Sequence, residues 1–530
     1  MKNKFNLIAI VVLLIFSVLT GCSSLRTSVA TPDETAAPKD TLVISVGEEP
    51  DRGFDPTTGW SRYGFPLFQS TLLKMNPDTT VGYDLATDYS VSEDGLVWTV
   101  TIRDARFSDG TPVTASDVAF TFNKAKENVG VVDLHFMEKA VAVDDRTVEF
   151  RLSQPSSIFI YRLMQLGIVP QNGYSPETYA SNPVGSGPYK LESYAKGQKV
   201  VAVVNDYYYG EKPKFKKLII LFIDEATRLA MAQAGGLDII AVPNYATDEA
   251  IGGMRLVDVK SVDNRGIMFP VIPNEGKTTE SRDPIGNDVT DHLEIRQALN
   301  IGLDRASVID GALNGHGDKA FTVSSYLAWD NGYRVEDGRG EDAKALLEDA
   351  GWRLNADGVY EKDGLRAEFD LLYPAGDSVR QAIALVVQKQ AQQLGIRINV
   401  EGKSWDDIAK RMYSTPVVMG WGSLEPSEVY NLHASSMRGV DWYNPGFYSS
   451  ELVDAEFQNA ITSQAYDEAM VHWRLAQDQI SADLPYVWLV NVSHPFLVDS
   501  CLNIGEQMVQ PHAHGWTLVN NIEDWHWGCK

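Results

Sequence analysis

Two histidines near the end of the chain, His512 and His514, stand one residue apart in the stretch QPHAHGW. The chain holds only 9 histidines in 530 residues, so the pairing needs a reason. On an extended segment residues i and i+2 face the same side, and both imidazoles could then enter one cleft. Neutral imidazole suits nickel, copper, zinc and cobalt, and two of them leave coordination positions for a bidentate or tridentate chelator. Pro511 and Gly515 would restrain the loop around the pair. Read in isolation, H-x-H is also a solvated surface pair with incidental metal affinity.

The cysteines say where such chemistry would take place. Cys22 closes the stretch LTGC, after Lys2, Lys4 and an apolar run from Leu7 to Leu19 that has the dimensions of a signal-peptide core. Small residues before a cysteine resemble the bacterial lipobox. That resemblance implies removal of residues 1–21 and lipidation of Cys22, against an ordinary signal peptide with an incidental cysteine. Residues 22–41 are small, polar and proline-containing, the composition of a flexible tether. No later segment is long and apolar enough to be a transmembrane helix. The expectation is a monomeric globular protein on the extracytoplasmic face of a Gram-positive cell membrane, attached through its lipid alone. Cys501 and Cys529 belong to a compartment where disulfides persist; they form a bridge pinning the C-terminal tail, or stand as two separate thiols. No C-x-x-C is present, so neither a thiolate zinc site nor a redox motif is indicated.

The formal charge of −25 excludes nucleic acid as a partner, since phosphate backbones demand basic patches, and disfavours anionic headgroups at the domain surface. No H-E-x-x-H, G-x-S-x-G or G-x-G-x-x-G occurs. NEGKTT (274–279) has the G-K-T of a phosphate loop, but Val271 stands where its first glycine belongs. The chain is therefore read as a binding protein and not an enzyme.

The elements that must position these residues alternate in type. TLVISVG (41–47), LVWTVTIR (96–103), RTVEFRL (146–152), KKLIILFI (216–223), IRINVEG (396–402) and YVWLVNV (486–492) read as strands, with Trp98, Val100 and Ile102 on one face of the second. PVGSGPYKLESY (183–194) reads as a turn into a strand. Helices are expected over 114–128, capped by Thr114 and Asp117, and over 294–313, 340–352, 378–395 and 467–485. The pattern is that of two α/β lobes, with the tail packing back on the first.

DGLVWTVTIRDARFSDGTPVTASDVAFTFNKAKE (94–127), NPVGSGPYKLESY, NDYYYGEKPKFKKLII (205–220), EIRQALNIGLDRASVI, AKALLEDAGW and GWGSLEPSEVYNLHASS (420–436) follow one another in the order of a known family. The chain resembles the extracytoplasmic solute-binding lipoproteins of ABC importers for peptides, nickel and metallophores, closest to the nickel branch. That resemblance implies a two-lobed periplasmic-binding-protein-like α/β fold (type II) with a hinge and an interlobe ligand cleft. It places lobe I at 42–270 plus 493–530, with an extra subdomain at about 80–190, and lobe II at 271–492, with crossings near MFPVIPN and VNVSHPF. It implies capture of a nickel(II) chelate with a small-molecule chelator such as histidine, and delivery to the ABC permease subunits in the membrane. A peptide ligand or a metal–opine metallophore is the alternative.

By the same resemblance His512 and His514 are metal ligands beside the cleft. Trp421 matches a cleft tryptophan, Trp60, Arg62 and Tyr63 fall on the first ligand-contacting loop, and Arg265 in DNRG is a fork for a chelator carboxylate. His433 reads as structural. Two departures stand out: the arginine some nickel binders carry in LMQLGIVPQNG (163–173) is missing after Arg162, and SSMRGVDWYNPG carries no histidine.

Overall fold

The computed structural model describes residues 39–62, 64–128, 132–244, 247, 251–512 and 516–529. Apolar alternation builds two sheets that the chain enters and leaves twice. The first has seven strands in the order Met254–Val259, His494–Asp499, Ile239–Ala241, Thr41–Ser45, Lys217–Leu221, Lys199–Val204 and Tyr189–Ala195. The second has six, in the order Gly317–Lys319, Tyr486–Val492, Asn264–Met268, Val417–Met419, Glu368–Pro374 and Arg397–Lys403. Both mix parallel and antiparallel pairs, the sheet type of an open α/β lobe.

These sheets define the lobes and move one boundary. Met254–Val259 pairs in the first sheet and Asn264–Met268 in the second, so the first crossing lies at residues 260–263 and not near 270. MFPVIPN begins inside lobe II, where Met268 and Phe269 are fully buried. The second crossing lies at Ser493, between Tyr486–Val492 of the second sheet and His494–Asp499 of the first.

A four-stranded antiparallel sheet (Ala86–Val91, Val97–Ile102, Thr147–Leu152, Met137–Ala142) is inserted into lobe I. Trp98, Val100 and Ile102 turn inward, as the alternation requires. The Ala115–Glu127 helix covers this face, and its Thr114 N–H donates to Asp117 Oδ2 at 2.8 Å in a capping box. The largest apolar core joins this insertion to the lobe II helices Glu451–Thr462 and Tyr466–Asp483.

The helix expected over 294–313 is two helices, Leu293–Gly302 and Arg305–Leu313. Leu303 is extended and Asp304 recaps the chain, accepting from the Ala306 N–H at 3.0 Å. The break carries Arg305, which is wholly buried, to the carbonyls of Trp488 (2.9 Å) and Ala320 (3.0 Å). Periodicity alone does not reveal a buried guanidinium that needs partners on other strands. Further along, Gly395 takes φ +78° after the Ser378–Gln393 helix, and Leu484 ends the Tyr466–Asp483 helix in the left-handed region just before Pro485.

Candidate functional site

Thr41–Ser45 and Ile239–Ala241 run parallel, and the loops that follow them line a cavity of about 760 Å³ in lobe I. Val417–Met419 runs parallel to Glu368–Pro374, and the residues that follow, Gly420–Ser423, line a cavity of about 1060 Å³. Both lie outside the carboxyl ends of parallel strands, where α/β folds bind ligands. The larger one takes its walls from the lobe I insertion (132–136, 154–165) and from lobe II (420–443, 458–473). Arg62, an exposed side chain, lines both.

The tail reaches the larger cavity through the first crossing. Ser261 and Gln510 form a parallel bridge, the Val262 N–H donates to Gln510 O (2.8 Å), and the His512 N–H donates to Gly422 O (2.7 Å). The approach is close enough to demand glycine. A methyl on Gly422 would stand 2.9 Å from His512 N and 3.0 Å from the Asp263 Cα, and one on Gly420 would meet the Arg265 guanidinium at 2.6 Å. The G-W-G around Trp421 is thus set by backbone packing on either side of the indole.

His512 lines the larger cavity with 30% of its side chain exposed, and its Nδ1–H donates to Asp263 Oδ1 at 2.5 Å. Asp263, only 3% exposed, stands on the crossing itself. Arg265, in the adjoining strand Asn264–Met268, grips it with both Nη atoms, Nη2 at 3.3 Å from Oδ2, and His494 Nε2, just past the second crossing, lies 3.6 Å from Oδ2. Burial would raise the Asp263 carboxyl, but Arg265, His494 and His512 override it and hold the group well below the usual carboxylate range. One buried anion therefore ties both crossings and the tail together.

This disposes the sequence-predicted residues unequally. Arg265 is not the fork for a chelator: its guanidinium is committed to Asp263, and it lines neither cavity. Trp60 is 6% exposed, donates from Nε1 to Pro66 O at 3.0 Å, and packs edge-on against Phe54 (5.0 Å) and Trp516 (5.1 Å). It anchors its loop at the rim of the smaller cavity. Trp421 lines the larger one, tilted against Tyr443, with its backbone held on both sides by Asn264. His433 is buried, donates from Nδ1 to Val429 O at 2.9 Å, and burial lowers it to about 4, so it stays neutral and structural. Cys501 and Cys529 are joined. Tyr63, His514 and Cys22 lie outside the described residues.

Sequence reading missed Asp263 and three other charged groups. Arg162, 4% exposed, lines the cavity and donates to Glu425 Oε2 (2.6 Å), Gln165 Oε1 (2.8 Å) and Asp133 O (2.9 Å). Glu428 is half-buried and accepts the Gly422 and Ser423 N–H groups at 3.1 Å each. Enclosure raises its carboxyl to about 7 against those two bonds, with Glu425 and Asp263 adding repulsion. The signal for both acids was present in LEPSE, but an acid pair among 71 acidic residues is not distinctive. Among the described residues no group of three or more His, Cys, Asp and Glu is arranged to hold a metal alone. No helix among them is long and apolar enough to cross a membrane.

Residues 80–439 match the model of the bacterial extracellular solute-binding proteins, family 5 Middle. Protein XP55 of Streptomyces lividans is 31% identical over 478 residues, covering 87% of this chain and 85% of that protein. The oligopeptide-binding protein AppA of Bacillus subtilis is 26% identical over 577 residues, covering 100% of each. Among solved structures, NikZ from Campylobacter jejuni in complex with Ni(L-His) superposes with TM-score 0.70 at 24% identity, covering 92% of this chain and 100% of that one, a likeness of fold. Proteins of this family are solute-binding components of ABC importers. With its fold, its interlobe cavity and the family match over most of its length, the chain belongs to the bacterial extracellular solute-binding proteins of family 5.

Proposed function

We propose that this solute-binding protein captures a transition-metal chelate, nickel(II) with a small carboxylate-bearing chelator such as histidine, and passes it to its permease. The observation that carries the reading is His512: an imidazole in the cavity wall whose Nδ1–H is fixed by a buried carboxylate. Metal-ligating histidines are oriented in this way, because the hydrogen bond selects the tautomer with its lone pair on Nε2 and raises its basicity. With one such ligand, the remaining coordination positions fall to the chelator. We further propose that Cys22 carries a lipid that holds the protein on the outer face of the cell membrane.

A second reading, an oligopeptide ligand, is supported by the cavity of about 1060 Å³. That is the upper end of the size of small-molecule sites, roughly 300–1000 Å³. The full-length match to an oligopeptide-binding protein points the same way.

Calorimetry on tag-free, metal-stripped protein separates the two. Nickel with excess histidine should bind at one site, and His512→Ala should weaken it at least tenfold. Equal binding by both proteins, or none, would refute the chelate reading, and binding of tri- to pentapeptides would install the second.

A further inference from the structure

We propose that Glu428 makes the larger cavity selective for a chelator that carries an ammonium group beyond its metal-binding atoms. The inference deepens the proposed function and rests on the chelate reading, since it concerns the end of the ligand that does not hold metal.

The charges of the cavity wall divide by lobe. Lobe I contributes Arg62, Lys126, Asp133, His135, Arg162 and His512. Lobe II contributes Glu425 and Glu428 and no lysine or arginine. The two walls are held together beside the cavity, where the Ser157 N–H and Oγ–H donate to Ile461 O (2.8 Å) and Ala460 O (2.7 Å). A ligand that fills the space therefore meets an acidic wall on the lobe II side.

Two of the three carboxylates in this wall have partners. Glu425 Oε2 lies 2.6 Å from Arg162 Nη1, and Asp133 Oδ1 lies 2.5 Å from His135 Nδ1. Glu428 differs. It accepts the Gly422 and Ser423 N–H groups, and among the described residues it joins no ion pair. The side chains whose charge acts on it most, Glu425 and Asp263, are both negative. On the lobe I side Arg162 is engaged with Glu425, and Lys126 donates to Glu138 O at 2.9 Å. An enclosed carboxylate gains from a cation beside it, and the vacancy here is one that a ligand can fill.

Position favours this as well as charge. Each Glu428 oxygen is anchored by one N–H, so the carboxylate is fixed before a ligand arrives. Gly422 links it to the imidazole proposed to hold metal: its N–H donates to Glu428, and its carbonyl accepts the His512 N–H at 2.7 Å. A ligand bound through metal at His512 thus presents its remaining groups beside Glu428. An ammonium offers three donors and a full charge, and each carboxylate oxygen keeps a lone pair for it. Burial raises the Glu428 carboxyl to about 7 against its two N–H bonds, so below that pH the incoming ammonium must displace a proton.

The test compares chelators that differ in the ammonium. Nickel is titrated by calorimetry with excess norleucine or excess lysine, which share one amino-carboxylate chelating unit. Acetyl-glycyl-norleucyl-glycine and its lysine counterpart, in which the side chain bears the only ammonium, are titrated without metal. All probes are repeated on Glu428→Gln, and at pH 6 and pH 8. The wild type should bind nickel–lysine about tenfold tighter than nickel–norleucine at pH 8, the effect of one charge-assisted hydrogen bond, and the preference should shrink at pH 6. Glu428→Gln should bind the two complexes alike. A lysine preference confined to the metal-free peptides and lost in Glu428→Gln would uphold the selectivity and refute the chelate reading. Equal binding of the two nickel complexes by the wild type would overturn the selectivity and leave the chelate reading standing. A preference that survives Glu428→Gln, or no binding by any probe, also overturns it. Should the variant bind neither complex, the wild type decides: a preference equal at pH 6 and pH 8 overturns the inference, and one that shrinks at pH 6 upholds it.

Discussion

At the scale of single residues, Asp263 decides most. It sits buried on the first crossing and holds Arg265, His494 and His512, residues from three separate stretches of chain. Removing its charge leaves Arg265 buried without its counterion and His512 without its orienting acceptor. Asp263→Asn should destabilise the fold by about 3 kcal/mol, because breaking one side of a buried pair leaves the other uncompensated. On the proposed chelate reading it should also weaken nickel–histidine binding roughly 10- to 100-fold, the usual effect of losing the carboxylate behind a ligating histidine. Urea denaturation and calorimetry read the two effects separately; a stable variant with unchanged affinity would dismiss Asp263 as a mere neighbour. Glu428 makes the opposite kind of demand. Its carboxyl is raised from 4.5 to about 7, so the folded state keeps a proton that the unfolded chain has released between those values. Its contribution to stability is full below pH 4.5 and is lost as pH rises through 7. Glu428→Gln, which mimics the protonated form, should gain stability relative to the parent at pH 8 compared with pH 5. Denaturation midpoints that keep the same difference at both pH values would show that Glu428 does not titrate in this range.

At the scale of elements, the strands were the most legible. Six runs read as strands each contain one, and the Trp98 face of Val97–Ile102 is buried as its alternation implies. Alternation reports a physical requirement, one face in a core, that each strand meets without reference to distant partners. The helix expected over 294–313 failed at its centre for the converse reason. The break at Leu303–Asp304 serves Arg305, whose acceptors, Trp488 O and Ala320 O, belong to other elements. The short helix Ser427–His433 gave no signal beyond an acid pair, yet it positions Glu428 against the Gly422 and Ser423 N–H groups.

At the scale of the whole molecule, the two lobes are fastened across the cavity. Besides the Ser157 bonds, Arg162 reaches Glu425, and Tyr161 Oη lies 3.4 Å from Tyr466 Oη. The acceptors of Ser157 are carbonyls in the last turn of the Glu451–Thr462 helix, so the lobe I insertion caps a lobe II helix. Any motion that parts the lobes must break these contacts. On the proposed chelate reading, the double variant Ser157→Ala, Arg162→Gln should therefore raise the dissociation rate of nickel–histidine about tenfold and change the association rate little. Stopped-flow tryptophan fluorescence measures both; an unchanged dissociation rate would mean these bonds do not fasten the lobes.

By itself the sequence determined the α/β fold class and the family, because each rests on local patterning or on motifs read in order. The tertiary structure alone decided the partners. Arg265 and a ligand carboxylate were a sound pairing by chemistry, but Asp263, two residues earlier on the first crossing, takes the guanidinium first. Arg162 gave no sign of entering the cavity until its helix was packed against lobe II. Which charge meets which is set by the distances that folding closes, and electrostatic interaction in a buried setting is strong enough that the nearest partner prevails.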